Sequence, residues 1–145
     1  MFKKIAVALD ESPEAERALR SALDLAKFTS AEVYIITVIE DLPAYIGCVS
    51  AVAPEVPSLL RNERQAFYAD MHSRARKAAD EAGVSLHTAL VEGNEIKGLL
   101  EAVDQIAPEL LVVGLRLEPG GLSRLLGGTA HQLALHAKCH VLGIR

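Results

Sequence analysis

The sequence predicts an α/β domain in which a parallel sheet is covered by helices on both faces. Three observations predict it. Strand-like and helix-like segments alternate along the chain with short connections, which is the signature of a parallel sheet with crossover helices. The run Leu110-Leu111-Val112-Val113-Gly114 is uniformly apolar, as a strand buried on both faces reads. Half of the residues are hydrophobic, yet aromatics make up only 4% and Trp is absent. A core of Ala, Val, Leu and Ile suits helices packed on such a sheet. The 145 residues show no internal repeat and no linker, so residues 1–145 are expected to form one domain.

The first strand is expected over Lys4 to Leu9, ended by Asp10. Ser12 and Pro13 then start a helix, with Ser as N-cap and Pro at the first helical position. Glu14 and Glu16 fall in its first turn, where the helix dipole favours acids. Ala15, Ala18, Leu19, Ala22, Leu23 and Ala26 give it an apolar face. Glu32 to Ile39 is rich in β-branched residues and predicts the second strand. From Glu40 to Pro57 the pattern breaks at Pro43, Gly47, Pro54 and Pro57, which predicts a long connection. Its apolar residues Tyr45, Ile46, Val49, Val52 and Val56 read either as a flap over the core or as a lid or partner surface.

Helical spacing returns at Leu60, Phe67, Met71, Ala75, Ala78 and Ala82, and Gly83 ends that helix. Ser85 to Val91 alternates in part and predicts a strand nearer an edge. Gly93-Asn94 leads a helix that turns Ile96, Leu99, Leu100, Val103 and Ile106 inward and stops at Pro108. The strand Leu110 to Gly114 follows, then a glycine-rich loop. A helix beginning after Gly127-Gly128 carries Ala130, Leu133, Ala134 and Ala137 at helical spacing, and Val141 to Ile144 closes the chain as a strand. That last strand is too apolar to leave as an open edge, which predicts pairing with a second copy.

Strand, glycine-rich loop and helix start are the parts that hold a phosphate. Glycine lets backbone approach closely, and free N–H groups at a helix start point at an anion. On a parallel sheet such sites lie at the C-terminal ends of strands where the strand order reverses. Asp10, Val38 with Ile39, and Gly114 onward all follow strand ends. An ordinary Gly/Thr helix cap also explains Gly127-Gly128-Thr129, but two adjacent glycines exceed what a cap needs. Asp10 reads equally as a turn residue.

Other chemistries find less support. The net charge of −4, without a basic patch, argues against nucleic acid. No apolar run approaches a membrane span, and the short apolar N-terminus does not read as a signal peptide, so a soluble cytoplasmic protein is expected. Cys48 and Cys139 do not suggest a disulfide framework. His131, His136, Cys139 and His140 have ligand-like spacing, but a helix end falls among them, and no metal site is expected. No nucleophile elbow, Gly-Lys-Ser/Thr phosphate loop or Gly-x-Gly-x-x-Gly is present.

The segments Ile5-Ala-Val-Ala-Leu-Asp-Glu-Ser12, Leu110 to Gly114, Leu122-Ser-Arg-Leu-Leu126 and Cys139 to Arg145, in that order and spacing, resemble the universal stress protein family over essentially the whole chain. The resemblance implies a Rossmann-like, adenine nucleotide alpha hydrolase-like sheet of five parallel strands in the order 3-2-1-4-5. It implies a homodimer through the last strand, here Val141, Leu142 and Ile144. It also implies adenine nucleotide, ATP or AMP, with or without Mg2+. The nucleotide motif of many members is Gly, two residues, Gly, nine residues, Gly, then Ser or Thr. Gly114 fits the first position, and Leu117 stands at the second. Strict counting reaches Gly127, and one inserted residue brings Gly128 and Thr129 into place. Glu118 falls inside the loop, where Arg116 and Arg124 are the neighbouring bases.

By resemblance, Ala8 and Leu9 line the adenine side and Asp10 lies near the ribose and α-phosphate. Val38 offers backbone hydrogen bonds to adenine, and Val113 and Gly114 lie under the ribose. Arg116, Gly127, Gly128, Thr129 and Ala130 complete the phosphate side. The expected function is a stress-response regulator that binds nucleotide and is not an enzyme, with an unknown protein partner. The alternatives are a nucleotide-free dimeric interaction protein, favoured by Leu117 and Glu118, and an ATPase or nucleotidyl transferase, which needs a catalytic residue the sequence does not display.

Overall fold

A computed structural model describes residues 1–116 and 128–145. The elements in chain order are β1 (Lys4–Ala8), α1 (Pro13–Thr29), β2 (Glu32–Ile39), α2 (Ile46–Ser50), α3 (Val56–Ala82), β3 (Leu86–Glu92), α4 (Glu95–Ile106), β4 (Leu110–Gly114), α5 (Thr129–His136) and β5 (His140–Ile144). The five strands form one parallel sheet in the order β3-β2-β1-β4-β5. β1 sits at the centre, with Val7 opposite Ile35 on one side and Val112 on the other. The expected order is found, and β3 lies at an edge as its partial alternation predicts.

The period of two along each strand divides the core into two layers. Ile5, Val7, Val33, Ile35, Leu110 and Val112 face α1 and α3. Ala6, Ile36, Leu111 and Val113 face α4 and α5, meeting Leu99, Val103 and Leu133. Because both faces are covered, the central strands carry apolar residues at consecutive positions. Local signals set α1: the Ser12 hydroxyl accepts from the Ala15 amide at 3.1 Å, and Pro13 occupies the first turn. Asn94 caps α4 in the same way through Lys97 N–H, at 3.0 Å.

Two expectations are corrected. The stretch from Glu40 to Pro57 is not one unbroken loop, since it contains the short helix α2 and the start of α3 at Val56. Phe67, expected inward, is 49% exposed, and the buried positions of α3 are Met71, His72, Ala75 and Ala79, with Tyr68 packed beside them. Met71, Ala75, Ala78 and Ala82 face the core as expected; the difference lies at Phe67, whose place is taken by Tyr68, and at His72, a polar residue in a core position that a count of apolar residues passes over. The ends of β1, β3 and β5 move by one residue from the expected boundaries. β1 stops at Ala8, although Leu9 N–H still bonds to the Ile36 carbonyl at 2.9 Å. Among the described residues no helix is long and apolar enough to cross a membrane.

Candidate functional site

The C-terminal ends of β1 and β4 open into a cavity of about 690 Å3. Its floor is apolar: Ala8, Leu9, Val38, Val113 and Gly114 from the strand ends, with Leu99 and Leu133 behind them. Among the described residues its polar groups are Asp10, Ser12, Glu95, Arg116, Thr129 and His131. Gly128 and Ala130 complete the wall at the start of α5. Ten of the eleven expected nucleotide residues are thus brought together. The eleventh, Gly127, lies outside the described residues, as do Leu117, Glu118 and Arg124.

The two described glycines of the motif differ in physical role. A Cβ on Gly114 would lie 2.6 Å from the backbone carbonyl carbon of Glu14 and 2.7 Å from the Ala15 nitrogen. Gly114 is glycine because the first turn of α1 crosses against it. Gly128 is the N-cap residue of α5 with φ −70° and ψ 148°, a conformation open to any residue, and a Cβ there would meet nothing within 4 Å. Among the described residues neither backbone conformation nor packing requires glycine at Gly128, although glycine is among the residues favoured at an N-cap. The first amides of α5 have no partner within the helix, and Gly128, Thr129 and Ala130 line the cavity.

Asp10 has two tasks. Its carboxylate accepts from the Ser12 amide at 2.8 Å and from the Ser12 hydroxyl, which holds the turn into α1. The other oxygen accepts from Arg116 Nη2 at 3.4 Å. Arg116 thereby reaches over the cavity mouth from the end of β4.

A buried network that sequence reading missed fixes the end of β1. The Thr37 hydroxyl donates to the Leu9 carbonyl at 2.6 Å and lies 2.7 Å from His72 Nε2. A hydroxyl has one proton, so His72 Nε2–H is the donor to Thr37. Burial, with the Arg76 charge adding to it, pushes the His72 pKa below its ordinary value and keeps the ring neutral at pH 7. The signal lay in two polar residues at core positions of a strand and a helix.

Glu95 was missed as well. Its Oε2 accepts from the Thr129 hydroxyl at 3.1 Å. Burial raises its pKa, the Asp10 and Glu40 carboxylates add to the rise, and Thr129 and Arg116 oppose it. Beside Glu95 a second recess of about 390 Å3 extends toward α3 and is lined by Glu11, Glu40, Arg64 and Tyr68 together with Asp10 and Arg116. Tyr68 donates to Glu11 at 3.3 Å, and Arg64 to the Glu40 carbonyl at 2.9 Å.

The remaining candidates lie elsewhere. His140 packs edge-on against Phe2, with ring centroids 6.0 Å apart, and burial raises the Cys139 thiol pKa. Among the described residues no group of three or more His, Cys, Asp or Glu side chains converges as metal ligands do. Val141, Leu142 and Ile144 lie on β5 at the sheet edge opposite β3, and Leu142 is 40% exposed.

Residues 1–145 match the universal stress protein family along their whole length. The chain belongs to that family. This universal stress protein is 31% identical to one from Methanocaldococcus jannaschii over 146 residues, covering all of this chain and 83% of the relative. Among solved structures, it superposes on a family member from Burkholderia pseudomallei with a TM-score of 0.75, 28% identity and coverage of 98% and 95% of the two chains. It also superposes on a universal stress protein in complex with cAMP, with a TM-score of 0.71, 26% identity and coverage of 99% and 97%. The shared fold is the five-stranded Rossmann-like sheet described above.

Proposed function

We propose that this universal stress protein is a stress-response regulator, not an enzyme, that binds an adenine nucleotide in the cavity at the ends of β1 and β4. One observation carries the reading. Gly128, the N-cap residue of α5, stands on the cavity wall, and among the described residues nothing lies within 4 Å of where a Cβ would be. A residue kept bare beside unpaired helix amides fits close approach of a phosphate. The apolar floor of Ala8, Leu9, Val38 and Val113 suits a purine and ribose, and the Asp10 carboxylate on the cavity wall suits ribose hydroxyls or an accompanying Mg2+. The related protein seen with cAMP supports the same ligand class. The phosphate-side role of Gly127 and the homodimer through Val141, Leu142 and Ile144 belong to the same proposal, as does a cytoplasmic location.

The test is nucleotide content and affinity. The purified protein is denatured, any released nucleotide is identified by mass, and stripped protein is titrated with nucleotide by calorimetry. A Gly128→Val variant, whose added methyls enter open space, is expected to fold normally and lose roughly tenfold or more in affinity. No retained nucleotide and no heat at millimolar ligand would refute the reading.

A further inference from the structure

Glu95 lies outside the phosphate-binding pattern, yet it sits where that pattern acts. It opens α4, and its carboxylate accepts a hydrogen bond from the hydroxyl of Thr129, the first residue of α5. Thr129 is the hydroxyl residue that the motif places against phosphate. An anion of the chain's own therefore already stands at the start of α5 and uses a donor that a phosphate would use.

The surroundings of Glu95 add to its charge. Asp10, Glu11 and Glu40 line the adjoining recess with it. The cations on these walls, among the described residues, are Arg64 and Arg116, and both are engaged. Arg64 donates to the Glu40 carbonyl, and Arg116 pairs with Asp10 at 3.4 Å. His131, on α5, also lines the cavity, and Tyr68, on α3, donates a hydrogen bond to Glu11. The upward shift of the Glu95 pKa reports the same imbalance, because burial and neighbouring carboxylates already make its ionised form costly. A further anion brought beside it meets repulsion that grows with each added charge.

We propose that Glu95 is a specificity determinant of the nucleotide cavity: by holding Thr129 and placing a negative charge at the start of α5, it admits adenine nucleotides that carry little phosphate charge and disfavours the triphosphate. The proposal rests on the nucleotide-binding reading above. A cyclic monophosphate brings a single negative charge, a monoester about −1.5 to −2 at pH 7, and a triphosphate more. Divalent cation bound to the triphosphate offsets part of that charge, so Mg2+ narrows the difference.

Calorimetric titration of the full chain with cAMP, AMP and ATP, each with and without Mg2+, tests this on the wild type and on Glu95→Gln. The glutamine keeps the shape of the side chain and can still accept from Thr129, while removing the charge. In the wild type, cAMP is expected to bind roughly tenfold or more tightly than Mg-free ATP. In Glu95→Gln, ATP affinity is expected to rise roughly tenfold while cAMP affinity changes less than about threefold. Equal affinities for ATP and cAMP in the wild type would overturn the proposal, and so would a gap that survives in Glu95→Gln. Either result, with nucleotide bound, leaves the binding reading standing. Absence of binding by any nucleotide to either protein overturns both. Should Glu95→Gln fold poorly, Glu95→Ala, which also removes the charge, is titrated in its place with the same outcomes.

Discussion

Gly114 and Gly128 belong to the same motif, and the structure predicts opposite consequences for adding one methyl group to each. At Gly114 the new Cβ would lie 2.6 Å and 2.7 Å from backbone atoms of Glu14 and Ala15. Backbone cannot rotate away as a side-chain tip can, so α1 must shift off β4. That shift disturbs the packing of Ala15 and Ala18 in the core. Overpacking of this kind costs typically 1–3 kcal/mol, and a backbone clash belongs at the upper end, about 3 kcal/mol. For a chain of this size that is a fall in melting temperature of roughly 10 °C. At Gly128 the new Cβ meets nothing within 4 Å among the described residues and φ is −70°, so Gly128→Ala is expected to cost only about 0.5–1 kcal/mol, the difference between glycine and alanine at an N-cap. In the proposed reading its effect falls on the ligand instead. Thermal and urea unfolding of both variants, with calorimetric nucleotide titration beside them, separates the two roles. A Gly114→Ala protein that melts with the wild type would refute the packing account of Gly114.

Other perturbations probe the rest of the structure. Thr37→Val strips the Leu9 carbonyl and His72 Nε2–H of their shared partner, at an expected cost of about 2–3 kcal/mol in urea unfolding. The His72 pKa lies below its ordinary value of 6.5 in the folded state, so the unfolded chain binds more protons just below pH 6.5. Stability from this group is complete above pH 6.5 and lost as pH falls toward the folded pKa; His72→Gln should flatten that part of the profile. Ala107 ends α4 with φ 50°, a left-handed conformation, and Ala107→Gly should raise stability by about 0.5–1 kcal/mol in thermal melts. Leu142→Lys places a charge on the exposed edge of β5 and should convert the proposed dimer to monomer in light-scattering measurements. An unchanged mass would move the dimer surface elsewhere.

The chain's local chemistry was legible wherever one element carried its own signal. Ser12 and Pro13 announced α1, and the β-branched run set β2 at Glu32–Ile39. The unbroken apolar run of β4 marked a strand covered on both faces. Alternation of such elements implies a parallel sheet, because crossover helices must cover both of its faces. Asp10, Val38, Gly114 and the Gly128-Thr129 helix start followed from the same logic, since strand ends and a glycine-led helix start converge on such a sheet, while Ala8, Leu9 and Val113 were implied by the family resemblance.

Only the tertiary structure decided what depends on residues remote in sequence. Gly114 is glycine because Glu14 and Ala15, far away along the chain, pass against it. His72, Thr37 and Leu9 come from a helix and two strand ends, and none carries a pattern that names the others. Phe67 points outward because helical spacing reports that a face exists, while its exact rotation is set by what it packs on. Glu95 reads as an acid in the first turn of α4, favoured by the dipole wherever α4 lies. Its place beside Thr129 arises when α4 and α5 pack on the same face of the sheet, and that packing turns an ordinary helix-start acid into a wall of the cavity.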